Sequence, residues 1–198
     1  QALSFQEVEN IMNLAYRTED GEAIVVSLCL VDSGYDTDSA YDFCASNSDW
    51  AMPVKGSSNP MMSHFKLSTI NRATSKAHGM NLVIVDTDKY KDMIASRMKK
   101  ENGKGAWMVY QGCDREYAEQ VTAEHKVNIK SGSRMIQRWV PKHSHSNNHY
   151  LDCSVYEMAA ADILGVRTLH LQEEEPAPVE EVRETPEENW IGANENWL

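Results

Sequence analysis

Two aspartates close apolar runs of strand length. Asp32 ends the run GEAIVVSLCLVD, and Asp86 ends MNLVIVD. In α/β sheets ligands bind at the carboxyl ends of strands, so an Asp there sits at the rim of the core with its charge free to face a cation. A third aspartate, Asp152, falls in the first turn of a helical stretch over Asn148–Leu164, at the edge of the apolar stripe Leu151, Val155, Ala159 and Ile163. Carboxylates converging from a strand end and a helix start suit a hard, oxygen-loving ion such as Mg²⁺ or Mn²⁺. Two such ions about 3.5–4 Å apart can activate water and stabilise the leaving oxygen in phosphodiester cleavage. The plainer alternative stays open: an Asp at a strand end can be a turn former, and Asp152 can serve only the helix dipole.

Other residues carry weaker signals. His143, His145 and His149 could ligate zinc, but no Cys lies beside them to complete a set, and a solvated polar loop is the ordinary reading. The basic inventory comprises Lys55, Lys66, Lys91, Arg97, Lys99, Lys100, Lys104, Arg134, Arg138 and Lys142. The run Arg97–Lys104 could track a DNA backbone or simply complement a helix C-terminus. Trp107 and Trp139 read as core or hairpin residues. Near the C-terminus, Glu188-Asn189-Trp190 repeats as Glu195-Asn196-Trp197. Tryptophans on an acidic, Pro-rich segment suit a docking motif that orders on a partner.

The elements that must position these residues follow from pattern. Phe5, Val8, Ile11, Met12 and Ala15 share one helical face over Ser4–Tyr16. The run ending at Asp32 is rich in Val and Ile and predicts a central strand buried on both faces. A helix over Thr37–Ala45 follows, with Thr37 as N-cap. Strands are predicted at Met52–Lys55, Met80–Asp86 and Trp107–Tyr110, and helices at Thr87–Lys100 and Arg115–His125. Lys126–Lys130 and Met135–Trp139 predict a hairpin around Ser131-Gly132, and the last helix stops at Gly165. Strands alternating with helices indicate an α/β domain with a mixed sheet.

Composition bounds the rest. The 198 residues are enough for one domain with a real core. No apolar run approaches the roughly 18–20 residues that span a bilayer, so no membrane role is expected. Four scattered cysteines without a secretory leader read as reduced thiols in a cytoplasm. The net charge of −11 is uneven: residues 172–198 hold nine Glu and one Arg, a contribution of −8 that leaves −3 for the remainder. That balance does not exclude nucleic acid, since phosphate binding depends on where Lys and Arg lie. A folded domain over 1–171 and an acidic, disordered tail over 172–198 are therefore expected.

Four segments together resemble the nuclease region of lambda-type large terminases of tailed bacteriophages: VDSGYDTDSAYDFC (31–44), MPVKG (52–56), VDTDKYKDMIASRM (85–98) and, most telling, NHYLDCSVYEMAAADILGV (148–166). Shorter matches are QVTAEHKV (120–127) and Trp139. The resemblance implies an RNase H-like fold whose acidic cluster binds two Mg²⁺ or Mn²⁺ ions and cuts concatemeric viral DNA into genome units in the host cytoplasm. It puts Asp32 at the family's second acidic position and Asp152 at the last, with Asp86 assisting. Lys91 matches a basic position, and with Lys55, Arg97, Lys99, Lys100 and Lys104 is expected on double-stranded DNA. It also implies a first catalytic Asp on a strand upstream of Ser4, and ATP use only through a motor domain; no GxxxxGK[ST] occurs in this sequence. The implied partners are the small terminase subunit and the portal of the procapsid, the latter through Trp190 and Trp197. The competing reading is a docking or assembly module that keeps the fold without catalysis.

Overall fold

A computed structural model describes residues 4–169. The tail and its Trp190 and Trp197 lie outside the described residues. The first helix, α1 (Phe5–Met12), opens on a capping box: the Ser4 side chain accepts from the Glu7 N–H while Glu7 reaches back to the Ser4 N–H. It ends earlier than its apolar stripe suggests. A minimal hairpin follows, β1 (Tyr16–Arg17) with β2 (Ala23–Ile24).

The main sheet has four strands: β3 (Cys29–Asp32), β4 (Ala51–Gly56), β5 (Phe65–Thr69) and β6 (Asn81–Val85), in the order β3-β4-β6-β5. Its first three strands in that order run parallel and β5 is antiparallel, so the sheet is mixed as expected. The apolar run before Asp32 is not one central strand. It breaks between β2 and β3, and β3 takes an edge, paired only with β4 among the described residues. Val- and Ile-rich sequence reports a half-buried pleated surface and does not distinguish edge from centre. β5 went unread because FKLST carries too little apolar signal.

The helices are α2 (Thr37–Ser46), α3 (Thr87–Met98), α4 (Arg115–Val121) and α5 (His149–Ile163). Trp107–Tyr110, expected as a strand, is a loop. The predicted hairpin is present and longer: β7 (Glu124–Ser131) pairs with β8 (Arg134–Pro141), and Gly132 takes φ +62° at its turn.

Period-2 alternation assigns the faces. Leu30 of β3 and Val54, Val83 and Val85 of β4 and β6 pack against Tyr90 and Ile94 of α3 and Leu151, Val155 and Ala159 of α5. Cys29 and Val31, on the other face, pack with Phe43 and Cys44 of α2 and with Val8 and Met12 of α1. Helices therefore cover both faces. Burying each large apolar side chain contributes about 1.5–3 kcal/mol. Ile94 is fully buried at the centre of the first cluster. Truncating it to Ala should cost about 2–5 kcal/mol, read as a lower denaturation midpoint at unchanged slope; a shift under about 1 kcal/mol would contradict the packing.

Candidate active site

Asp32 is the last residue of β3, opposite Val54 of β4. Its parity with Leu30 turns it to the face that α5 covers. The chain then makes a tight turn in which the Gly34 N–H donates to Asp32 Oδ1 at 2.8 Å. A Cβ at position 34 would stand 3.1 Å from that oxygen, so glycine keeps the approach open. Asp152 enters from the first turn of α5. Asp32, Asp152, His149, Tyr156 and Glu157 all line one cavity of about 800 Å³, closed below by Leu30 and its apolar neighbours. The two aspartates are thus brought together as the spacing argument required.

Their electrostatics report on each other. The Asp152 carboxyl lies above its usual range, first because burial disfavours its charge, and further because Glu124 and Asp32 are negative; Lys91 opposes the shift. The Tyr156 phenol is pushed up by burial first, then by the charges of Asp32 and Asp152. Behind Asp152 stands Lys91, its Nζ 3.5 Å from Asp152 Oδ1 and 2.8 Å from Glu124 Oε1. Sequence reasoning missed Tyr156, Glu157 and Glu124. The i, i+4 and i, i+5 positions relative to Asp152 were a usable signal for the first two; Glu124 had none.

Several expected residues go elsewhere. Asp86 is buried and caps α3, one oxygen accepting from the Lys89 N–H and the other from the Met61 N–H at 2.9 Å. Each of its oxygens accepts from a backbone donor, which fastens Asp86 to the start of α3 and to the loop at Met61. Lys91 is buried and ion-paired, so it does not face DNA. Lys55 alternates to the α2 face, where its ammonium reaches Thr37 and lies 5.7 Å from the Tyr41 ring centre. Arg97, Lys99, Lys100 and Lys104 lie at or beyond the far end of α3, whose twelve residues span roughly 18 Å from the strand-end rim. The six expected DNA contacts therefore lie in separate places: Lys55 on the α2 face, Lys91 inside, and the other four at or beyond the end of α3. Of the three histidines only His149 lines the cavity, and His143 borders a separate one. Among the described residues no three His, Cys, Asp or Glu are arranged to hold one metal ion. Mg²⁺ asks less than that: it is commonly held by one or two carboxylates, with water and substrate phosphate completing its octahedron. Asp32 and Asp152 are hard oxygen donors of that kind.

The model of the terminase large subunit gpA endonuclease domain matches residues 1–173. The chain belongs to that family. This gpA-type domain accordingly has a nuclease role in DNA packaging, with DNA and packaging machinery as its partners. Nothing among curated proteins or solved structures gives a match. No helix among the described residues of the gpA-type domain is long and apolar enough to cross a membrane.

The raised Asp152 value has a stability consequence. The folded domain holds this proton more tightly than the unfolded chain does. Its stabilising contribution is complete below the unfolded value and is lost as pH rises through the folded one. Asp152→Asn should therefore raise the melting temperature of metal-free protein at neutral pH, and the gain should vanish below about pH 4. A gain that is constant across that range would refute the assignment of cause.

Proposed function

We propose that this domain is a two-metal-ion endonuclease of RNase H-like architecture, which cuts concatemeric phage DNA into genome lengths. The observation that carries the reading is the meeting of Asp32 and Asp152 in one cavity at the carboxyl end of β3, within a gpA-type endonuclease domain. The RNase H-like element is supported by the mixed sheet with helices on both faces.

Asp32 and Asp152 would hold the Mg²⁺ or Mn²⁺ ions. When bound, such ions supply Lewis-acid stabilisation of the scissile phosphate and lower the pKa of water. The protein's own residues do the positioning. Gly34 fixes Asp32 through its N–H, and Tyr156 lines the cavity beside the same carboxylate. The apolar wall of Leu30 and its neighbours limits water on one side, which strengthens each charge interaction in the cavity. His149 and Glu157 line the same space, within range of an entering phosphodiester.

Plasmid DNA incubated with the full-length protein should be cut only with Mg²⁺ or Mn²⁺ present. Asp32→Asn and Asp152→Asn should each slow cleavage by at least about 100-fold while the circular dichroism spectrum stays unchanged, as expected when an electrostatic stabiliser is removed. Cleavage by Asp152→Asn at the wild-type rate would remove this residue from the site.

The acidic tail is the docking element of the same reading, and the paired Glu-Asn-Trp segments support it. The portal protein of the procapsid is its proposed partner, the small terminase subunit is a further proposed partner of the protein, and ATP enters only through a motor domain. Deleting residues 186–198 should abolish procapsid binding in a pull-down and leave cleavage intact. Undiminished binding would instead assign docking elsewhere.

A further inference from the structure

Lys91 is a charged side chain inside the domain, and nothing in the cleavage reaction as described uses it. Its side chain is 9% exposed and that of its partner Glu124 only 5%. Removing two charges from water is costly unless the geometry is close and the remaining lone pairs are satisfied. Here both conditions are met. The Lys91 ammonium donates to both carboxylate oxygens of Glu124, at 2.8 and 2.9 Å. Asn148, the residue capping α5, donates its amide to Glu124 Oε1 at 2.8 Å. A second tie joins α4 to the same helix start, from the Tyr150 N–H to Gln120 Oε1 at 3.3 Å.

The third partner is treated differently. Asp152 Oδ1 lies 3.5 Å from the ammonium, beyond a well-formed charged hydrogen bond. Its side chain is 37% exposed and turns into the cavity with Asp32. Lys91, Glu124, Asp152 and Asp32 comprise one cation and three carboxylates, a net −2 that favours divalent cations. We propose that Glu124 and Lys91 are positioning residues for the cation site: Glu124 retains the ammonium just behind Asp152, close enough to steady the carboxylate and too far to claim it.

This rests on the nuclease reading above and adds a mechanism that reading does not contain. Glu124→Gln frees one strong claim on the ammonium. Lys91 then closes on Asp152 and competes with the metal. The double replacement Lys91→Met with Glu124→Gln removes the buried charges together, an exchange that folded proteins commonly tolerate. Asp152 then faces Asp32 with no screening cation. The two variants therefore push metal affinity in opposite directions, which a purely structural ion pair would not do.

The test is Mn²⁺ binding to the full-length protein by calorimetry, with thermal unfolding as the control for folding. Glu124→Gln should weaken Mn²⁺ binding by at least about tenfold. The double variant should bind Mn²⁺ more tightly than wild type, yet cleave more slowly at saturating Mn²⁺ because Asp152 has lost its support. Asn148→Ala is the milder probe should either variant fail to fold, and should weaken binding about threefold in the same direction as Glu124→Gln. Affinities within twofold of wild type in the variants that fold would overturn the inference and leave the nuclease reading standing. Absence of Mn²⁺ binding by wild type would overturn both.

Discussion

Asp152 stands between a buried ammonium and a second carboxylate, and the opposition of those two influences organises the domain. Burial first, then Glu124 and Asp32, make its charge costly, and Lys91 offsets part of that cost. Neither influence is local in sequence. Lys91 comes from α3, Glu124 from the start of β7, Asp32 from the end of β3 and Asp152 from α5. Each element must be seated before the charges can meet. The apolar contacts of Tyr90, Ile94, Leu151, Val155 and Ala159 provide that seating, because they fix α3 and α5 against the same face of the sheet. Core and site are coupled through these helices: Lys91 follows Tyr90 directly, and Asp152 follows Leu151.

The same arrangement explains a polar network inside a domain of modest size. Apolar burial is non-directional and would hold α5 against the sheet in several rotations at similar cost. The contacts from Asn148 to Glu124 and from Tyr150 to Gln120 act only at one rotation. They set which side of α5 meets the cavity, and hence that Asp152 and Tyr156, one turn apart, both line it with Asp32. Stability and orientation are thus supplied by different residues of one helix.

How far the sequence disclosed this depends on the range of the interaction. The long apolar runs at β3 and β6, the helix at α3 and the hairpin of β7 and β8 were legible because their patterns are local and strong. Asp32 and Asp152 were legible as candidates because strand ends and first helical turns have fixed chemistry. The edge position of β3 was not, since pairing order depends on the whole sheet. The strand expected at Trp107–Tyr110 fell to a loop that tertiary contacts hold, with Trp107 packed beside the core. Lys91 was expected on DNA, and its burial was not legible because it depends on a glutamate thirty-three residues later. The basic residues of 97–104 follow the axis of α3 away from the rim, so their place relative to the cavity was not legible from sequence order.

Asp32 and Asp86 make the sharpest contrast, because both end a strand with the local sequence Val-Asp followed by Ser or Thr. After Asp86 the helix begins at once, so that aspartate becomes the N-cap and spends an oxygen on the Lys89 N–H. After Asp32 the chain inserts Ser33, Gly34 and Tyr35, and Asp36 takes the capping duty instead, accepting from the Ser39 N–H. A cap must stand next to its helix, so three residues of spacer release the earlier aspartate from that task. Among the described residues, the one backbone partner of its carboxylate is then the Gly34 N–H within its own turn. The difference between a carboxylate fastened as a helix cap and one left facing the cavity, at two otherwise similar strand ends, is therefore the distance to the next helix, with a second acid placed to cap it.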